Sequence, residues 1–183
     1  MIDELCIDFV NSLYKIHSTG RYEDRLPWPA WREAFAERHG LDLEPEPEPP
    51  LEHLAREREQ LRRMLESWAS GGRLEPRDLD RLDGLVAAAP GRRTIRAVAG
   101  TPAVRFEPAR RDWTWVLAEV AASATALMAA AEPARLKVCG NPDCTWLFYD
   151  QSHNSSRRWC DVRACGNLVR VREYRARQRA SGG

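Results

Sequence analysis

At 183 residues, with 43% hydrophobic and 30% charged residues and a net charge of +1, the chain suits one domain, or one domain with a small appended module. Its apolar content can build a core, which excludes a disordered chain. The longest apolar run, within residues 116–131, is broken by Glu119, Ser123 and Thr125, so it reads as too short and too polar for a membrane span and no membrane partner is expected.

The first expected element is a helix over residues 3–13, capped by Asp3, with Leu5, Phe9 and Leu13 four apart. Asp8 and Asn11 are three apart and share a face, so they form either a ligand-facing polar pair or a bridge to a neighbouring loop. Cys6 reads as a small core residue, and His17 has no evident partner. Residues 22–29 read as a loop. A short helix then runs from Trp31 to about Arg38 and stops at Gly40. The Glu-Pro alternation of residues 44–50 predicts an extended acidic spacer.

Two helices follow. Residues 51–69 carry Leu51, Leu54, Leu61, Leu65 and Trp68 on the helical period and end at Gly71-Gly72. The second begins at Pro76, with Leu79, Leu82, Leu85 and Val86 as its stripe. Residues 92–98 and 103–107 alternate around Gly100-Thr101-Pro102 and predict a β-hairpin. Asp112 caps a long alanine-rich helix from Trp113 to about Ala131, which Pro133 ends.

The last quarter holds four of the five cysteines, as Cys139-x4-Cys144-x15-Cys160-x4-Cys165. Two close pairs separated by a short insert fit a four-thiolate zinc site. Turn formers fill Cys139-Gly140-Asn141-Pro142-Asp143-Cys144, as a metal-holding knuckle requires. Disulfides, redox pairs or another metal are the rival uses of the same thiols. A reducing cytoplasm, suggested by the lack of a recognisable signal peptide, weighs against disulfides. His153, in the loop between the pairs, could replace one thiolate.

Cys165-Gly166-Asn167-Leu168, with the basic continuation to Arg177, resembles the CGNR zinc-finger family of bacterial proteins. Leu168 stands where that signature has arginine. The run Leu5-Cys6-Ile7-Asp8-Phe9-Val10-Asn11-Ser12 resembles the start of that family's stress-responsive-type N-terminal domain. The resemblance implies a transcription regulator with a zinc-dependent DNA-binding end.

The implied fold is mainly α with small β parts. A helical sensor or ligand-binding domain over residues 1–134 precedes a zinc finger over residues 135–183. Strands at residues 135–138 and 146–149 flank the first knuckle. A final helix from about Val162 to Arg179 carries the last ligand, making a treble-clef-like order.

From Arg157 onward there are eight arginines and two acids, a net +6 against +1 for the whole chain, which leaves −5 for residues 1–156. One zinc with four thiolates would subtract about two charges from the tail. At 100° per residue, Val162, Cys165, Leu168, Val169 and Ala176 form the metal and core side of the last helix. Arg163, Arg170 and Arg177 line the opposite side with Tyr174. Arg157 and Arg158 precede the helix. This basic stripe suits double-stranded DNA, and a solvated helix end in an arginine-rich chain is the plain alternative. A homodimer is compatible with a DNA regulator, although no heptad seam supports one.

Two rival classes stand beside the regulator. One is a zinc-stabilised protein–protein adaptor. The other is a small-molecule-binding or catalytic N-terminal domain, with the finger purely structural. Catalysis has little support, since no phosphate-binding glycine loop or nucleophile–base set stands out.

Overall fold

The computed structural model describes residues 4–16, 19–45 and 49–181, with the side chain of residue 181 left out. The expected Asp3 cap, His17 and the centre of the Glu-Pro spacer lie outside the described residues. Helix α1 (Leu5–Val10) leads into strand β1 (Leu13–Lys15), which pairs antiparallel with β2 (Tyr22–Asp24). Helices α2 (Pro29–Arg38), α3 (Leu51–Ala69) and α4 (Pro76–Ala87) follow. The hairpin β3 (Gly91–Val98) and β4 (Thr101–Pro108) precedes α5 (Trp113–Ala130). Strands β5 (Leu136–Val138) and β6 (Leu147–Tyr149) form a third two-stranded sheet. A π-helical turn (Val162–Gly166) then runs into α6 (Asn167–Ser181). The fold is mainly α with small two-stranded sheets, as the sequence implies.

The core forms where apolar stripes converge on α5. Val116, Val120, Ala121 and Ala124 of α5 are buried with Phe9 and Val10 of α1 and Leu54, Leu61 and Leu65 of α3. Phe35 of α2 stacks between Trp31 and Trp113, with ring centroids 5.0 and 6.4 Å away, so these aromatics serve the core. Asp112 caps α5 by accepting from the Thr114 and Trp115 amides at 3.0 and 3.1 Å. By length and hydropathy α5 reaches what a membrane span requires, contrary to the sequence expectation. Half of it is buried inside the protein, which is how an apolar core helix passes the same test.

The structure corrects three other expectations. The first helix ends at Val10, and Leu13 begins a strand. Residues 22–24 pair with that strand instead of looping. Of the α4 stripe only Leu82 is buried. Leu79 and Val86 are 52% and 45% exposed, because α4 meets the body along one edge. The β3–β4 hairpin forms where the sequence predicts one, and it has no buried face: Ile95 is 73% and Val104 66% exposed.

The core also crosses from residue 134 to 135. Leu136, Leu147 and Tyr149 of the last sheet are buried in the same cluster as α1, α3 and α5.

Arg58 of α3 is buried and pairs with Asp24 of β2 through two contacts of 2.6 and 2.8 Å, and it also donates to Ser12 Oγ at 3.0 Å. Burial alone would raise the Asp24 carboxyl. Hydrogen bonds from Arg58 and the Leu26 amide, with the Arg58 charge, hold it below the usual carboxylate range. Because that value is depressed, the pair stabilises the fold above about pH 3.9 and loses its contribution as pH falls further. Replacing Asp24 with Ala strands a buried guanidinium. We discount the usual cost of such a change because Asp24 is partly exposed, and expect a loss of about 2 kcal/mol. That corresponds to a melting point lowered by roughly 4–8 °C in calorimetry at neutral pH. An unchanged melting point would contradict the assignment.

Candidate metal centre and its anchorage

Cys139 follows β5 directly, and Cys144 lies just before β6, so the first pair sits on a knuckle at the end of a hairpin. The knuckle closes through Cys139 N–H to the Trp146 carbonyl at 2.9 Å and Cys144 N–H to the Asn141 carbonyl at 2.8 Å. Cys160 comes from the loop before the π-helical turn, and Cys165 lies within that turn. Asp161 caps the turn by accepting from the Arg163 and Ala164 amides.

All four Sγ atoms lie within 4.8 Å of one another. Cys144 and Cys160 are 3.8 Å apart, and Cys160 and Cys165 3.6 Å. A tetrahedron with zinc–sulfur bonds of about 2.3 Å has edges of roughly 3.8 Å. A disulfide would need about 2.05 Å, and all five cysteines are free. The cage therefore fits one zinc ion, and the disulfide alternative is absent among the described residues. His153 is exposed and engages Asn154 at 2.6 Å, whereas the four thiols already make the cluster.

The surroundings suit thiolates. The Cys160 amide points at Cys139 Sγ at 3.4 Å, and the Asn141 amide nitrogen at Cys165 Sγ at 3.6 Å. Asn141 is fully buried, and its carbonyl oxygen accepts from the Asp143 amide at 3.1 Å. Thiols this close cannot all ionise unaided. Hydrogen bonding from Cys160 draws Cys144 down to about 5, whereas the same bond pushes Cys160 up. Burial pushes Cys165 up to about 11. A bound dication supplies the compensating charge for all four.

Each ligand pair contains a Cys-Gly-Asn triplet, at residues 139–141 and 165–167. Trp159 explains the two glycines. A Cβ on Gly140 would sit 3.1 Å from its ring and one on Gly166 3.0 Å, so both ligand turns press onto the indole. The repeated triplet was the available sequence signal for this packing, but nothing local names Trp159 as its partner.

Asn11 anchors the finger to the rest of the chain. Its amide donates to the Leu147 carbonyl at 2.8 Å, and its oxygen accepts from the Leu147 amide at 2.9 Å. The side chain thus pairs with β6 as another strand would, in a fully buried place. Arg62 donates to the Thr145 and Val10 carbonyls at 2.9 and 3.3 Å. The Lys15 amide donates to Thr145 Oγ1 at 3.0 Å. The Arg25 guanidinium lies 4.6 Å from the Tyr14 ring centroid and 5.3 Å from that of Trp146, tying β1 to the finger. Asp8 faces elsewhere and pairs with Arg38 and His39 at 2.8 and 3.0 Å. Asp8 and Asn11 are therefore engaged in separate places.

The arginines of the tail divide into two groups. Arg157 turns inward, its guanidinium over Phe148 and bonded to the Trp159 and Cys160 carbonyls. It is not presented to a duplex as the sequence suggested. Arg158 is exposed and lies over Trp159. Arg163, Arg170, Tyr174 and Arg177 are all exposed. Arg172 pairs with Asp143 beside the knuckle. Val162, expected on the core side, is 49% exposed, and Ala176 is exposed too. The π-helical turn holds about one extra residue per turn, so the phase counted from Val162 slips before α6 begins.

A closed four-sulfur cage on a hairpin-and-helix frame, fused to a helical core, defines a zinc-finger protein with a structural metal. A family model described as "CGNR zinc finger" matches residues 135–178. The ABATE model, described as "Putative stress-induced transcription regulator", matches residues 3–131, most of the chain. The chain belongs to the ABATE family and ends in a CGNR zinc finger. Comparison with curated proteins gives no match.

Elemental analysis of protein purified without chelator should find one zinc per chain. Cys160→Ser should lose the metal and the order of α6 while α3 and α5 persist by circular dichroism; full zinc retention would contradict the cage. Asn11→Ala removes the partner of two buried backbone groups. It should cost about 3 kcal/mol in guanidinium unfolding and speed zinc loss to a chelator. A change below about 0.5 kcal/mol would show that the anchor is dispensable.

Proposed function

We propose that this regulator contacts duplex DNA through α6, and that the zinc cage sets the direction in which α6 leaves the body. The carrying observation is the exposure of the helix. Every residue from 170 to 180 is exposed, on all sides of α6. That stretch holds five arginines and a single acid, Glu173. No apolar stripe packs it down, and a short helix without packing is marginal in water. A polyanion supplies what is missing, because arginines repel one another when free and bind phosphates when placed in a groove.

Arg163 stands at the base, Arg170 and Arg177 along the rod, with Tyr174 beside them and 57% exposed. Arg158, exposed beside the cage, extends the basic surface. Leu168, in place of the signature arginine, is partly buried, so any duplex contact falls to the arginines further along. The cage leaves no coordination position for water, which gives the metal a structural role.

The N-terminal segment, in this proposal, receives the signal and passes it on through the Asn11–Leu147 anchor. A cleft of about 420 Å³ between α3 and α4 is lined by Arg63, Arg73, Arg77 and Arg81 with Glu75 and Asp78. Arg77 and Arg81 pair with Glu75 and Glu57, so an anionic effector there would meet Arg63 and Arg73.

Fluorescence anisotropy with a labelled mixed-sequence duplex tests the contact. Affinity should fall steeply with salt, and Arg170→Ala should lower the slope of log K against log salt by about one unit. Salt-insensitive binding, or none, would contradict the proposal and favour a protein partner for the helix.

A further inference from the structure

The β3–β4 hairpin is a regular element that stands largely clear of the other described residues. All eight residue pairs of its ladder form, from Gly91↔Pro108 to Val98↔Thr101. Ala99 and Gly100 close it with φ of 49° and 81°, a turn whose twist matches that of paired strands. Yet every residue of β3 except Thr94 is exposed, and in β4 only Ala103, Glu107 and Pro108 are partly covered. An isolated two-stranded ribbon is marginal in water, so a ribbon kept this long and open calls for an occupant.

Its two faces differ. Residues paired directly share a face, so Arg93, Ile95, Ala97, Pro102, Val104 and Phe106 lie on one side. The other side carries Arg92, Arg96, Arg105 and Glu107, where Glu107 accepts from Arg96 at 2.5 Å and Arg92 at 3.0 Å. Those bonds hold the Glu107 carboxyl below the usual range. Arg93 and Arg105 make no ion pair with any described residue. With four arginines and one acid, residues 91–108 carry +3.

Size and charge choose between occupants. Eight-residue strands make a ribbon about 26 Å long and roughly 10 Å wide. Two copies meeting face to face would then bury about 500 Å², well under the roughly 1,200 Å² of a stable interface. A second copy would also bring +3 against +3. A duplex brings the opposite charge, and a major groove of about 12 Å admits a two-stranded ribbon.

We propose that this hairpin is a second nucleic-acid contact, resting on the reading of α6 as the first. Arg93 meets phosphates beside the apolar face, and Arg105 meets them from the opposite face of the ribbon. Ile95, Val104 and Phe106 supply apolar contact to base edges, of the kind that thymine methyls or an opened base step accept.

The test uses the zinc-loaded full chain and the same labelled mixed-sequence duplex, with three variants whose fold is checked by circular dichroism and zinc content. Arg93→Ala/Arg105→Ala should lower the salt slope by nearly two units. Ile95→Ser/Val104→Ser/Phe106→Ser should weaken binding several-fold with the slope unchanged. Arg170→Ala/Arg177→Ala reports on α6 separately. If the α6 variant loses slope while both hairpin variants bind as the parent does, the hairpin proposal is overturned and the α6 contact stands. If the parent does not bind, both fall. If the apolar variant turns a dimer into a monomer in sedimentation and the arginine variant keeps its slope, the ribbon is a self-association surface and the proposal is overturned.

Discussion

Four thiols drawn within 4.8 Å of one another set the terms for everything downstream of residue 135. As thiolates they repel strongly, and as thiols they leave weak contacts and a poor core. A single dication between them converts that repulsion into the main attraction of the finger. The sulfur spacings match the edges of a zinc tetrahedron, so the backbone already has the shape the ion requires. Trp159 fills the space between the two ligand turns, and the glycines at 140 and 166 let those turns approach it. Without the ion, a two-strand hairpin and a helix that is mostly solvated have little reason to keep their relative positions.

The finger is nevertheless not a bead on a string. Leu136, Leu147 and Tyr149 are part of the same apolar cluster as α1, α3 and α5. Asn11 pairs with both backbone groups of Leu147, and Arg62 reaches the carbonyls on either side of the seam. Helices α1 and α3 are thus both bonded to the segment that runs from the knuckle into β6. The knuckle in turn reaches α6 through the pairing of Arg172 with Asp143, which Lys15 also approaches. The contacts run without a break from α1 to α6, as the proposed relay from the N-terminal segment requires.

What was legible in the sequence follows from the range of the forces involved. The metal ligands could be read because chelation needs close pairs, and close pairs are a local pattern. Helices α3 and α5 could be read because many residues vote for one period. The β1–β2 pair was missed because three-residue strands carry almost no period, and Lys15 gets part of its hydrogen bonding from Thr145, 130 positions away. Asn11 could be flagged as a polar residue on an apolar face, but its partner lies 136 positions away. The exposure of Val162 was misjudged because a π-helical turn breaks the 100° count on which the helical face was drawn. Arg157 looked like its neighbours in composition, and the ring of Phe148 beneath it and the Trp159 and Cys160 carbonyls that it bonds separate it from them.

The central claim is that zinc held by four sulfurs orders an arginine-rich helix for a duplex. The most direct measurement is a chelator titration of the zinc-loaded protein that follows metal content and duplex affinity together, at one fixed salt concentration. Affinity should fall in step with zinc and return when zinc is restored. Binding that persists after the metal is gone would contradict the account.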